Sequence, residues 1–214
     1  MPAVLETTVS YFYVAPTPRL LCILILKSHP HHLSLGGDGL VCARHLHHYG
    51  YTPTIYYPKQ TSAELFSRLV TQLKSLSIPF TSDFPSALSS ADFVIDAIFG
   101  FSVRLPIKPP FDAVISAMEK TSKPVLAIDT PSSWDVEGGP QGEGEVGHGF
   151  MPDYLISLTA PKPSAKFFKG KKHFIGGRFL SKQVAEKYGL DVPDYQGYDQ
   201  IAELPIEEGG DGKL

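Results

Sequence analysis

Residues 91–100 read ADFVIDAIFG, an apolar run with one carboxylate near its end and a glycine to close it. The run is short and rich in Phe, Val and Ile, which suits a strand buried on both faces better than a helix. Asp96 then becomes the feature to explain, because a carboxylate in such surroundings is expensive unless it is paired or coordinated. The stretch KPVLAID repeats the plan and ends on Asp129. LLCILIL and DYLISL read as two further buried strands.

Helical periodicity fills the intervals. GDGLVCARHLHHYG places Cys42, Leu46 and Tyr49 on one face, and Gly50 can stop the helix. TPTIYY is a strand ending at Pro58. TSAELFSRLVTQLKSL opens with a capping-box pattern, Thr61 to Glu64, and carries Leu65, Leu69, Leu73 and Leu76 as its stripe. FDAVISAMEK aligns Phe111, Ile115 and Met118. Buried strands alternating with amphipathic helices predict a single doubly wound, three-layer α/β/α Rossmann-like domain with a mainly parallel sheet. It is expected over residues 20–193, with an atypical segment at 1–19 and a loose C-terminal tail over 194–214.

Bulk properties bound the function. At 214 residues the chain holds one well-buried domain. A formal net charge of -3 argues against a nucleic-acid partner. No apolar run approaches the ~18 residues needed to cross a bilayer, so no membrane partner is expected. Two cysteines, Cys22 and Cys42, make no disulfide framework and read as reduced and buried. Residues 1–19 form neither a secretory nor a mitochondrial signal.

Ligands of doubly wound sheets sit beyond the carboxyl ends of the strands. Four polar stretches fall there: Gly36, Gly37, Asp38 and Gly39; Asp96 followed by Gly100, Phe101 and Ser102; Asp129 followed by TPSSWD; and TAPKPSAKFF. Asp38 either caps its own helix or shares that helix start with an anion. GGDG fits neither the dinucleotide G-x-G-x-x-G pattern nor the G-x-x-x-x-G-K-[ST] loop. The histidines at 29, 31, 32, 45, 47 and 48 lack a metal-binding frame, and no G-x-S-x-G elbow supports Ser-His-Asp hydrolysis.

Together GGDGLVCARHL, PTIYYP, DFVIDAIFGFS, AIDTPSSWDVE, PDYLISLTAPKPSAKFF and HFIGGRF resemble the NAD(P)H-hydrate epimerase family, the YjeF N-terminal domain. The resemblance runs from about Gly36 to Arg178. It implies an isomerase that interconverts the R and S forms of hydrated NADH and NADPH (NADHX and NADPHX), so that a separate S-specific ATP- or ADP-dependent dehydratase can restore the cofactor. It also implies a homodimer, one potassium ion per subunit, and a cytoplasmic or mitochondrial setting.

By position, the family's first substrate loop, N-N-G-G-D, falls on Ser34, Leu35, Gly36, Gly37 and Asp38. The second covers Gly100, Phe101, Ser102, Val103, Arg104, Leu105 and Pro106, and Asp129 is a further substrate contact. Potassium ligands correspond to Asp96, Ser132 and position 35, where leucine has no oxygen to offer a hard cation. The family's G-P-G-N-N lead-in is absent before Gly36, which a misassigned first exon or a retained intron would explain. Epimerisation by either hydroxyl loss and re-addition or ring opening and closure needs proton transfer at oxygen, and Asp129 is the expected acid and base. The rival expectation is a catalytically impaired binding or scaffold protein on the same fold.

Overall fold

The computed structural model describes residues 20–25 and 36–206, and the segment 1–19 lies outside them. The elements in chain order are β1 Leu20–Ile25, α1 Gly36–His48, β2 Thr52–Tyr56, α2 Glu64–Ser75, β3 Phe80–Thr81 and α3 Phe84–Ser90. There follow β4 Phe93–Ala97, α4 Phe111–Lys120, β5 Val125–Ile128, β6 Tyr154–Leu158, β7 Lys172–Gly176, α5 Lys182–Tyr188 and β8 Ile201–Leu204. Short 3₁₀ turns occupy Gly100–Ser102 and Pro163–Phe167.

The sheet order is β3-β2-β1-β4-β5-β6-β7-β8, parallel throughout except for β8, which runs antiparallel to β7. The chain winds outward in one direction from β1 through β2 to β3, then returns to the other side of β1 with β4. The crevice between β1 and β4 is therefore the topological switch point, where such sheets bind ligands. Asp96 stands in that register, opposite Leu24 on one side and Ala127 on the other.

Each face of the sheet is covered. Ile23, Ile55, Ile95 and Leu126 pack with Leu40, Leu46, Phe66 and Leu73 of α1 and α2. On the opposite face Val94 and Val125 meet Val114, Ile115 and Met118 of α4, together with Phe84 of α3. A third cluster joins Ala127 and Leu155 to Trp134 and Phe168. The alternation of Val94 and Ile95 between layers is the period-2 geometry of a strand buried on both sides.

Four details differ from the sequence reading. The capping box at Thr61 does not form: α2 begins at Glu64, its N-cap Ala63 makes no side-chain cap, and Glu64 instead pairs with Arg68 one turn on. The buried stripe of that helix is Phe66, Val70 and Leu73, while Leu65 is 56% exposed. Tyr49 lies beyond the last helical residue of α1 and is half exposed, because the chain turns at Gly50 with φ 85°. Part of the expected loose tail is ordered into the sheet as β8. Arg178 anchors it by donating to the Tyr195 and Gly197 carbonyls, and Lys172 pairs with Glu203 across the strands.

Candidate active site

Asp96 ends β4 fully buried. Its Oδ1 accepts hydrogen bonds from the Ser132 hydroxyl and from the Ile98 amide at 3.3 Å, and its Oδ2 accepts from the Ser132 amide at 2.9 Å. The Ser132 oxygen in turn accepts the Phe99 amide at 3.1 Å. Burial pushes the Asp96 carboxyl up to about 6, against the lowering effect of the donors from Ser132 and Ile98.

The loop that carries Ser132 is itself buried. Ser133 donates to the Gly147 carbonyl, and the Trp134 indole donates to the Phe150 carbonyl at 3.0 Å. The sequence SSW after Asp129 is thus a packed plug that sets the height of the β5 end. The Thr130 hydroxyl oxygen, next in the chain after Asp129, is buried without a hydrogen-bond partner among the described residues.

Asp129 follows β5 with φ 71°, in the left-handed region that favours glycine, and Asp tolerates it better than most residues. The side chain is buried. Its Oδ1 accepts the Leu158 amide at 3.1 Å and the Lys162 ammonium at 2.5 Å. Lys162 also donates to the Leu158 carbonyl at 3.0 Å and the Ala160 carbonyl at 3.3 Å. Burial raises the Asp129 carboxyl above the usual carboxylate range, and the Lys162 charge pulls against it.

A second carboxyl faces this one. Asp38, in the first turn of α1, is pushed up to about 7, first by burial and then by the negative charge of Asp129. Among the described residues, a Cβ added at Gly37 would be in ordinary contact with the Phe66 ring, at 3.7 Å.

Of the residues singled out by sequence, Asp96 and Ser132 are joined directly and Asp38 and Asp129 interact through their charges, the two pairs lying at the carboxyl ends of β4 and β5 and the start of α1. Gly36 and Gly37 open α1 beside them. Gly100, Phe101 and Ser102 form the 3₁₀ turn after β4, with Phe101 47% exposed and its ring 5.7 Å from the Lys162 ammonium. Arg104, Leu105 and Pro106 are exposed and Val103 is half-buried. Ser34, Leu35 and the histidines at 29, 31 and 32 lie outside the described residues.

Sequence reasoning missed Lys162 as a site residue. Its signal was present in TAPKPSAKFF: a cation just past a buried strand, at the rim where two buried carboxylates needed one.

The donor set at Asp96 suits a hard monovalent cation. It offers a carboxylate and a hydroxyl, both oxygen. Ser132 retains a lone pair after accepting one amide and donating its own proton, and Asp96 has acceptor capacity beyond its three donors.

The chain is similar along most of its length to known proteins. The family model described as YjeF-related protein N-terminus matches residues 10–164. A relative in Phaeosphaeria nodorum, named NAD(P)H-hydrate epimerase, is 62% identical over 174 residues, covering 81% of this chain and 72% of the relative. One of the same name in Ajellomyces capsulatus is 62% identical over 179 residues, covering 84% and 74%. The crystal structure of yeast ynu0, YNL200c, superposes with a TM-score of 0.83 at 30% identity, covering 94% of this chain and 86% of that one. The chain belongs to the YjeF N-terminal family.

Proposed function

We propose that this chain is an NAD(P)H-hydrate epimerase, interconverting the R and S forms of hydrated NADH and NADPH. Relatives of that name at 54–62% identity support it. The observation that carries the chemistry is the state of Asp129: Oδ1 is held by two donors, while Oδ2 has no hydrogen-bond partner among the described residues. A buried carboxyl with one oxygen spoken for and one free is equipped to pass a proton to and from a substrate hydroxyl.

The hydrated ring bears its hydroxyl on a carbon next to nitrogen. In one route the nitrogen lone pair expels the hydroxyl, which takes a proton and leaves as water. Water then adds to the opposite face and returns the proton. In the other, the hydroxyl proton is removed as the ring carbon–nitrogen bond breaks to an aldehyde, its electron pair going to nitrogen, which takes up a proton; nitrogen gives that proton up on attacking the other face of the aldehyde, and the oxygen is reprotonated. Either route uses one group that gives and receives a single proton at oxygen, the role assigned to Asp129. Asp38 faces the same space, and the raised position of its carboxyl near neutrality limits repulsion between the two acids.

Potassium, held by Asp96 and Ser132, would supply a fixed positive charge that keeps the buried Asp96 ionised and the Ser132 loop in place. Position 35 contributes no side-chain oxygen to it. Gly36, Gly37 and Asp38 with the loop Gly100–Pro106 would receive the dinucleotide. A homodimer and a separate dehydratase that consumes the S form complete the proposal, in cytoplasm or mitochondrion.

The test adds purified protein to separated S or R hydrate and follows the approach to the equilibrium mixture, with and without potassium. Asp129→Asn is the matched control, since Asn accepts the left-handed backbone at this position. The variant is expected to fold as the parent does and to exchange epimers only at the spontaneous rate. Parent-like exchange by it would refute the assignment of Asp129.

A further inference from the structure

We propose that Lys162 is the positioning residue of this site: it fixes Asp129 through Oδ1, so that Oδ2 alone meets the reacting hydroxyl. The inference deepens the epimerase reading and rests on it.

Lys162 is saturated. An ammonium has three N–H donors, and here they meet Asp129 Oδ1, the Leu158 carbonyl and the Ala160 carbonyl. The chain goes out of its way to present those acceptors. Asp129 at the end of β5 and Thr159 at the end of β6 both adopt left-handed backbone, at φ 71° and 70°. Thr159 is the residue between the two carbonyls that Lys162 binds. Two non-glycine residues in that region, on adjacent strand ends and around one cation, mark a geometry imposed by its surroundings.

The hold is one-sided. Oδ1 also accepts the Leu158 amide, while Oδ2 accepts no hydrogen bond among the described residues. A pair that left Oδ2 both sealed and bare would keep that oxygen's desolvation cost, and Oδ2 is not among the sealed, unpaired oxygens of the described residues. A pair that prepares a carboxylate for substrate must leave it so.

The groups around Asp129 oppose each other. Asp38 repels its charge and Lys162 attracts it, so the lysine keeps Asp129 able to accept a proton despite burial. Phe101 contacts the same ammonium, 5.7 Å from ring centre to Nζ, and is 47% exposed. A substrate covering Phe101 would shut water from the pair and strengthen it.

Lys162→Met and Lys162→Cys test the role, the latter before and after aminoethylation with 2-bromoethylamine, with treated parent protein as control. Two quantities are read: steady-state epimerisation, and the titration of the Asp129 carboxyl carbon by NMR, assigned through Asp129→Asn. Lys162→Met should lower kcat by about 100-fold or more, with KM within about threefold. It should also move the Asp129 titration to higher pH, and aminoethylation should restore both.

Full kcat in Lys162→Met overturns the proposal. So does an unmoved Asp129 titration, or a loss that aminoethylation fails to repair. Should Lys162→Met not fold, Lys162→Arg decides, since a guanidinium keeps the charge but cannot bring one nitrogen to all three acceptors. Parent-like kcat in that variant overturns the proposal as well. If the parent protein shows no epimerisation, the functional reading fails, and the NMR titration still reports whether Lys162 governs Asp129.

Discussion

His173 gives the sharpest measurable consequence of the packing, and it lies away from the carboxyl rim. The ring is buried on β7, its Nε2 is 2.9 Å from the Ser157 hydroxyl, and Phe168 packs against it with ring centres 5.8 Å apart. Burial lowers it from the ordinary 6.5 to about 4. The folded protein therefore keeps a neutral imidazole over a range in which the unfolded chain takes up a proton. The stability this contributes is intact above pH 6.5 and is lost as pH falls toward 4. At 1.36 kcal/mol per unit, the full loss is about 3 kcal/mol, of which about 2 kcal/mol has gone by pH 5.

The carboxyls act in the opposite sense. Asp96 and Asp38, raised to about 6 and about 7, favour the fold when protonated and lose that contribution as pH rises through those values. The parent's stability curve is therefore a sum of opposed slopes, and the difference from a His173→Gln variant isolates the histidine. Urea unfolding of both proteins at pH 7.5 and pH 5 measures it. The gap between them should shift by about 2 kcal/mol in favour of the glutamine variant on acidification. A gap independent of pH would mean that His173 titrates normally in the fold, and that its contact with Ser157 is not closed to water.

Other outcomes follow from the same structure. Gly37→Ala should leave the melting temperature close to the parent's, since among the described residues its Cβ meets the Phe66 ring at an ordinary 3.7 Å, yet raise KM for the hydrate by crowding the start of α1. Ser132→Ala strips Asp96 of a donor and leaves the Phe99 amide without its acceptor, so it should cost about 1–3 kcal/mol in urea unfolding and raise the potassium concentration for half-maximal activity. Trp134→Phe leaves the Phe150 carbonyl without the indole donor in a sealed cluster. A loss of about 1–3 kcal/mol is expected by the same measurement, and no loss would argue that the plug is looser than its burial indicates.

The strands that carry the site were legible because burial on both faces writes an uninterrupted apolar run, and Asp96 and Asp129 stood out as the charges within it. The helices were legible where apolar residues recur with a helical period, as at Phe111, Ile115 and Met118. What escaped was set by tertiary contacts. β3 has two residues, too few for a pattern, and β8 is a strand because β7 offers it an edge and Arg178 holds the chain before it. At Thr61 the hydroxyl accepts the Ala63 amide instead of the Glu64 amide, and α2 starts only at Glu64. Lys162 escaped for another reason: a single lysine in a proline-rich loop has no periodicity, and only the left-handed bends at Asp129 and Thr159 bring its partners together.

The two borders of the sheet limit how copies of this chain can associate. One border is β3, with only Phe80 and Thr81 to offer. The other is β8, reversed in direction and carrying Glu203 tied to Lys172. Among the described residues, neither presents a long, flat ladder of unsatisfied amides and carbonyls on which a twin could extend the sheet. Growth of the β-layer across these borders is thereby disfavoured, and helical faces or loops are the surfaces left for a copy of the chain to use.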